Sequence, residues 1–557
     1  MKIKDIFYPQ ILTSLKNYNR QDFQKDLLAG LIVGIVALPM AIAFGIASGV
    51  TPEQGLITAI VAGFLISLLG GSTVQIGGPT GAFIVIVAGV VAKYGIAGLT
   101  IATLLAGAML VIMGLLKLGD VIKFIPYPVV VGFTGGIAVV IFSTQMNDFF
   151  GLGIESVPSA FHEKWICYFQ NLDKINWYAT GIAAGTVLIH FLWRKVSKTI
   201  PPALIAIILA TVAVQLFGLP VETIGSRFGE MKTTLPAPSW PDLSFDDIRA
   251  LLPVAFTIAM LGAIESLLSA MVADGATGKQ HHSNTELVAQ GIANLVTPLF
   301  GGIPATGAIA RTMTNIRNGG RTPVAGLIHA VVLLLILLFF GKWAKMIPMS
   351  CLAGVLVVIA YNMSEWRSFR GLFRNARPEV AVLLTTFFLT VIFDLTIAIE
   401  IGLVLALFLF VRRISKASQV QIFHNQVAPS LSDVHDNRMI PEGVDIFRIN
   451  GPFFFGVANK FDEANKLVQR SPKVRIVDMQ PVPFMDASGL RNLENFCRKC
   501  QAEKIRIVFA GANPTVKAAL MSSPLYAQIG ETNFYETVEA AVAAVASVEA
   551  AAAPQQA

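Results

Sequence analysis

The sequence predicts an all-α polytopic membrane domain followed by a smaller α/β domain, and three observations carry that reading. Of 557 residues, 54% are hydrophobic and only 14% charged, against about 25% charged in an ordinary soluble protein. The apolar residues are concentrated between about Leu27 and Arg413, broken only briefly by polar stretches, and mean hydropathy over the whole chain is +0.65. After Lys416 the pattern changes to short β-type runs alternating with helical ones. Such a composition excludes a soluble enzyme.

Residues 1–26 carry Lys2, Lys4, Lys16, Arg20 and Lys25 with no apolar run before Leu27, unlike a cleaved secretory signal. This segment is expected to be cytoplasmic. A bilayer crossing takes roughly 20 apolar residues. On that basis residues 27–413 divide into fourteen segments, at 27–48, 52–70, 76–92, 98–116, 128–145, 177–193, 202–218, 250–273, 286–300, 306–316, 323–341, 348–363, 380–396 and 397–412. Basic residues gather in alternate loops, at Lys117, Arg194 and Lys195, Lys279, Arg317 and Arg321, Arg367 to Arg377, and Arg412 to Lys416. The long loops 146–176 and 219–249 instead carry Asp148, Glu155, Asp173, Glu222, Asp242, Asp246 and Asp247. The asymmetry predicts both termini in the cytoplasm, and an even number of crossings agrees. The net charge of +7 is thereby a matter of membrane orientation and does not imply nucleic acid.

The third and tenth segments are unusual in the same way. Gly77-Gly78-Pro79-Thr80-Gly81-Ala82-Phe83 and Gly301-Gly302-Ile303-Pro304-Ala305-Thr306-Gly307-Ala308 each open with a glycine pair, a proline and a threonine before helical residues resume. Each is third in a set of seven. Seven is odd, so the second set crosses with the opposite sense, an inverted repeat. Glycine- or proline-interrupted segments at matching positions of two halves point to a transporter's binding site. A helix starting inside the membrane leaves its first N–H groups without partners and carries about +0.5 charge at that end. Two such ends facing each other form an anion site, with Thr80 and Thr306 adding hydroxyls and the glycines giving access to the backbone.

Glu265 stands midway along the eighth segment, where a lone charge costs at least about 2.5–3.5 kcal/mol, and Ser269 lies one turn further on the same face. Desolvation works against a charged carboxylate, which makes Glu265 a candidate proton carrier. A sodium ligand or a static partner of Arg311 are the other readings. Arg311 follows Thr306 by five residues, where a guanidinium would neutralise an oxyanion or snorkel to water. His281 and His282 are expected to be solvated. Cys497 and Cys500 have a C-x-x-C spacing without a second pair, so no metal site or cofactor is expected.

Beyond Lys416, strands are expected at 444–449, 474–479 and 505–510, with helices near 457–469, 488–503, 514–522 and 533–547. Residues 414–440 read as a linker, 441–547 as the α/β domain and 548–557 as a disordered Ala-rich tail.

These residues resemble the sulfate permease (SulP) family of anion transporters over essentially the whole chain. The resembling motifs are Leu38-Pro39-Met40-Ala41-Ile42-Ala43-Phe44, Gly78-Pro79-Thr80-Gly81-Ala82-Phe83, Ala263-Ile264-Glu265-Ser266-Leu267-Leu268 and Pro304-Ala305-Thr306-Gly307-Ala308-Ile309-Ala310-Arg311-Thr312. Asp486-Ala487-Ser488-Gly489-Leu490 resembles the STAS domain that ends such transporters. The resemblance implies fourteen spans in two inverted repeats with a uracil-permease-like division. Spans 1–4 and 8–11 form a core and spans 5–7 and 12–14 a gate, which move as an elevator, usually in a homodimer. It places Thr80, Gly81, Ala82 and Phe83 on one side of the anion and Gly307, Ala308 and Ile309 on the other, with Glu265 and Ser269 at the coupling position. Sodium-coupled bicarbonate members have an Asp in the eighth span with a Thr four residues on, and a Thr where this chain has Ile309. The stretches Leu261–Ser269 and Ala305–Arg311 look closer to members that carry C4-dicarboxylates with protons. In related anti-sigma factor antagonists the serine matching Ser488 is phosphorylated.

The function expected is therefore proton-coupled secondary transport of a sulfate-type oxyanion, bicarbonate or a C4-dicarboxylate in a bacterial inner membrane. The STAS part would bind a cytoplasmic partner. A sodium-coupled bicarbonate symporter, a nucleobase:proton symporter, a passive anion channel and a membrane-anchored sensor are the alternatives. Nucleobase symporters normally carry a second acid on the tenth segment, and residues 304–310 contain none. No nucleophile-base constellation or phosphate loop points to an enzyme.

Overall fold

The computed structural model describes residues 7–122, 126–155, 157–158, 160–196, 201–241, 244–374, 376–393, 395–423, 440–457 and 472–552. The chain forms two compact units, Met1–Ala406 and Leu407–Ala557. The expected helix near 457–469 falls almost wholly outside the described residues.

The first unit is helical. Its main helices are α1 Arg20–Ala47, α2 Pro52–Leu69, α3 Phe83–Leu115, α4 Tyr127–Phe150, α5 Phe161–Gln170, α6 Trp177–Val196, α7 Pro202–Phe217, α8 Phe245–Thr277, α9 Ser283–Val296, α10 Ile309–Arg317, α11 Val324–Ala344, α12 Met349–Met363, α13 Arg377–Ile392 and α14 Leu395–Ala417. Each of the fourteen apolar segments read from the sequence overlaps helix, the third and tenth only from Phe83 and Ile309 onward. Segments three and four are run together in α3 and divided at Gly95, whose φ of 68° interrupts the helical backbone. Among the described residues seven helices are long and apolar enough to cross a membrane by length and composition.

The helices sort into two packing groups. In one, α3 packs on α8 and α9, α11 on α1 and α2, and α10 on α8 and α1. In the other, α4 packs on α12 and α13, and α6 on α12 and α7. Contacts between the groups are sparser and run mainly from α1 to α12 and α7, and from α3 to α4. Small residues set the closest approaches. A Cβ on Gly107 would stand 2.8 Å from the Gly291 carbonyl, and one on Gly291 would stand 2.6 Å from the Val111 amide, so α3 and α9 touch backbone to backbone. Prolines interrupt α1 at Pro39 and α8 at Pro253. These helices are the first of each set of seven, and each proline removes one ladder bond.

The second unit is built on a five-stranded sheet of β3 Gln419–Phe423, β4 Val444–Asn450, β5 Val474–Asp478, β6 Arg506–Ala510 and β7 Phe534–Tyr535, in that spatial order. β3 and β4 are antiparallel and the remaining pairs parallel. Helices α15 Ala487–Ala502, α16 Pro514–Met521, α17 Pro524–Ile529 and α18 Val538–Ala552 accompany it. β3 lies within the stretch read as a linker, and α18 continues into the stretch read as a disordered tail. β5 is buried throughout, as a central parallel strand must be. One face carries Phe447, Val477, Phe496 and Phe509, the other Ile446, Ile476, Val508 and Val545. Cys497 and Cys500 are buried in the first of these cores.

Gly291→Val should abolish the monodisperse size-exclusion peak of the detergent-solubilised protein, because the added carbons meet backbone of α3. Gly275→Ala, with nothing within 4 Å of the new carbon, should leave the peak intact and raise stability by up to about 1 kcal/mol.

Candidate functional site

The two glycine-proline segments meet. Gly77–Gly78 and Thr306–Gly307 form a two-stranded antiparallel pair, β1 and β2, with Gly77 opposite Gly307 and Gly78 opposite Thr306. The antiparallel register is what two segments of opposite sense produce. The pair is extended by the Ala308 amide donating to the Ile76 carbonyl at 2.9 Å. Gly78 has φ of 147°, and a Cβ there would strike the Arg311 guanidinium, so glycine is required on both counts.

Arg311 is 1% exposed and is the largest fully buried side chain described. Its Nη2 donates to the Pro79 carbonyl at 2.6 Å and its Nη1 to the Gly77 carbonyl at 3.4 Å. It is therefore neither snorkelling to water nor ion-paired with Glu265, as two of the sequence readings allowed. It sits behind the first loop as a positive charge that holds the loop's carbonyls, each such charged bond contributing about 1.5–3 kcal/mol.

Glu265 accepts a 2.8 Å hydrogen bond from the Thr80 hydroxyl, which joins the eighth segment to the third. The adjacent Ser266 joins it to the tenth. Its hydroxyl lies 2.6 Å from that of Thr306 and accepts from the Gly307 amide at 3.1 Å, while Thr306 also bonds the Gly262 carbonyl. Ser269 is fully buried and donates to Thr312 at 3.3 Å, whose hydroxyl accepts from the Ile76 amide. The face of α8 that meets α10 is thus Gly262, Ser266 and Ser269, spaced i, i+4, i+7, with Glu265 at its edge. Choosing Glu265 and Ser269 by an i, i+4 rule passed over Ser266 for this reason.

Ala82 and Phe83 are buried, and Phe83 belongs to the apolar core. Gly81 faces the second packing group, where a Cβ would stand 2.7 Å from Met363 Sδ and 3.6 Å from Ile141 Cδ1. Ala308 is buried, whereas Ile309 is 41% exposed. At the start of α3 the Gly81 and Ala82 amides, and at the start of α10 the Ile309 and Ala310 amides, make no hydrogen bond to other described residues. Four N–H donors without a partner among the described residues, two from each half, thus follow the paired strands β1 and β2 in the chain.

Buried acids and amides that sequence reading missed hold these loops. Glu286 is fully buried, and its carboxylate takes the Gly71 and Ser72 amides at 2.8 and 3.2 Å and the Gln75 and Gln290 side chains at 3.0 and 2.8 Å. Asn294 donates to the Ala305 carbonyl and accepts from its amide. Asp26 takes the Arg321 and Thr322 amides. An acid one turn before a glutamine in an otherwise apolar stretch, Glu286 and Gln290, was the available signal. His281 corrects the expectation of a solvated histidine: its side chain is 4% exposed and bonds Asp274 at 2.6 Å. His282 is exposed.

In the second unit Ser488 is exposed at the second position of α15. The N-cap is Asp486, whose carboxylate takes the Gly489 amide at 2.7 Å and the Phe455 amide at 3.1 Å. Ser488 is therefore not a capping serine, and its hydroxyl is free to face solvent.

A helical membrane unit with two broken segments meeting at its centre, followed by a mixed sheet with helices, defines a multi-pass membrane protein with a C-terminal α/β domain. The pattern of the sulfate permease family matches residues 23–386, and that of the STAS domain matches residues 438–541. The chain belongs to the sulfate permease family. It is 44% identical over 94% of its length, and 97% of the other chain, to YvdB, a candidate sulfate transporter of Bacillus subtilis (strain 168). It is 31% identical over 91% of its length, and 92% of the other, to the bicarbonate transporter BicA of Picosynechococcus sp. (strain ATCC 27264 / PCC 7002 / PR-6). The solved transmembrane domain of a cyanobacterial BicA superposes with a TM-score of 0.62 at 34% identity, covering 69% of this chain and 98% of that one. SLC26A9 shares the fold, with a TM-score of 0.86 over 98% of this chain and 94% of that one at 18% identity. These relatives are transporters, and the chain is not an enzyme.

Arg311→Met should leave the Gly77 and Pro79 carbonyls unpaired. The expected result is a loss of about 2–4 kcal/mol of stability, read as a lower thermal midpoint of the solubilised protein.

Proposed function

We propose that the chain is a secondary active transporter of a small oxyanion, bound between the starts of α3 and α10. The observation that carries this is the set of four unbonded amides, two from each inverted half, beside a fully buried Arg311. Backbone N–H groups at helix starts favour negative charge, and here the nearby carbonyls are already taken up by the guanidinium. Thr80, Gly81, Ala82 and Phe83 would line one side and Thr306, Gly307, Ala308 and Ile309 the other. The names of the relatives favour sulfate or bicarbonate, with C4-dicarboxylates as the second class to test.

Proton coupling follows from the Thr80–Glu265 bond. An ionised Glu265 next to a bound anion is a like-charge pair, and protonation relieves it, so anion and proton favour each other's binding. Ser269, tied to Thr312, would act by holding α8 against α10. The two packing groups support an elevator in which spans 1–4 and 8–11 move against 5–7 and 12–14 across fourteen crossings, and Gly81 lies on that seam. We further propose an inner-membrane homodimer with both termini cytoplasmic, in which the STAS domain meets a cytoplasmic partner and exposed Ser488 is the regulatory position. A phosphate there would lie in the first turn of α15, where negative charge is favoured.

The test is uptake of sulfate, bicarbonate, fumarate and succinate into proteoliposomes, with and without an inward proton gradient and with sodium as a separate arm. Accumulation of one anion above its equilibrium level, driven by the proton gradient, is expected. Glu265→Gln should remove at least tenfold of that acceleration while exchange continues. Gradient-driven accumulation undiminished in Glu265→Gln refutes the coupling role, and uptake that only equilibrates refutes active transport.

A further inference from the structure

A second polar cluster lies apart from this site, in a cavity of about 1340 Å³ bounded by α3, α4, α5 and α12. The cavity runs from Ile84 and Val85, one turn beyond Gly81, to the residues of α5. Three side chains on its wall are more than nine-tenths buried and make no hydrogen bond to any described residue. They are Lys164, Tyr168 and Ser350, at 7%, 3% and 2% exposure; the two hydroxyl oxygens are themselves buried, and the Lys164 ammonium is open to the cavity. Buried polar groups are almost always paired, so two unpaired hydroxyls on one cavity wall, with a lysine that opens onto the same cavity, point to something that binds there.

Their surroundings identify its chemistry. Lys164 and Tyr168 are four residues apart on α5 and share a face. Tyr168 lies within electrostatic reach of Asp148, which is occupied by both η nitrogens of Arg227 at 2.7 and 3.1 Å. The Arg227 Nε donates to Glu222 at 2.8 Å, and the Glu222 carbonyl accepts from the amide of Met349, next to Ser350. This run of contacts connects Asp148, near Tyr168, to the residue before Ser350. Arg227 takes up the hydrogen bonds of both carboxylates and leaves the triad a net charge of −1, which Lys164 on the same wall balances, so the free donors are those of Lys164, Tyr168 and Ser350. Lys93 and exposed Glu155 are the other charged groups on the wall, one of each sign. Burial also pushes the Lys164 ammonium below the ordinary lysine value, a shift that a bound anion would reverse.

We propose that Lys164, Tyr168 and Ser350 form a separate binding site for a small oxyanion, a capture site on the route to the starts of α3 and α10. Its role in entry rests on the transport reading above; the binding itself does not. A fixed cation at a cavity mouth raises local anion concentration and the rate of encounter.

The test measures initial uptake of sulfate and of bicarbonate by the full chain in proteoliposomes against concentration. Lys164→Gln should raise the half-saturating concentration at least fivefold with the maximal rate within twofold of wild type, and Lys164→Arg should restore it. Tyr168→Phe and Ser350→Ala should each raise it twofold or more. A Lys164→Gln value within twofold of wild type overturns the proposal. Where the wild type transports neither anion, the transport reading has failed, and the capture site is read directly from Trp165, whose ring lies 5.9 Å from that of Tyr168. Sulfate should then quench the fluorescence component that Trp165→Phe removes, saturably in wild type and in Thr80→Ala, and not in Lys164→Gln. Equal quenching in wild type and Lys164→Gln, or none in wild type, overturns the proposal.

Discussion

The membrane unit depends on one backbone constraint: two chain segments leave helical structure inside a packed interior, and their polar groups must be satisfied there. The solution is asymmetric. The strands β1 and β2 pair with each other, and the carbonyls of Gly77 and Pro79 go to Arg311. The Gly81 and Ala82 amides just before α3 and the Ile309 and Ala310 amides that begin α10 go to no described residue. Acceptors are capped from within while donors are left open, and this difference is what the proposed anion site rests on.

The rest of the first packing group serves to hold that arrangement. Glu286 fixes the approach to β1, Asn294 the approach to β2, and Ser266 binds β2 to α8. Each is a buried side chain with at least one hydrogen bond to backbone, and Glu286 and Ser266 add bonds to neighbouring side chains, the networked pattern that rigidifies irregular chain. Gly81 is the point at which this rigid loop meets the other helix group, through Met363 and Ile141. Absence of a side chain at that position lets the two groups approach closely there.

Much of this was legible. Apolar length located the helical segments, and the matched glycine-proline-threonine breaks located the two non-helical stretches that pair with each other, because Gly and Pro have direct backbone consequences. Glu265 was legible because a carboxylate in an apolar helix is rare. Ser266 and Glu286 were not. Ser266 lies one residue from the face assumed for α8, and helix rotation is set by packing. Glu286 is near a segment end, where an acid usually means solvent. His281 looked solvated because loops usually are, and only its approach to Asp274 showed otherwise. The strand β3 is five residues long and antiparallel at a sheet edge, too short for its periodicity to stand out from linker.

Local chain chemistry is written residue by residue, so the sequence by itself determined the membrane character, the positions of the helices and the chemistry of the breaks. Which groups those breaks would meet was decided by tertiary structure alone. Arg311 could equally have faced water or Glu265, and Lys164 and Ser350, 186 positions apart in the chain, became neighbours of one cavity only through the packing of α5 and α12 around α4. Pair distances across a fold depend on helix rotation and crossing, and these are fixed by the whole set of contacts at once and not by any short stretch of residues.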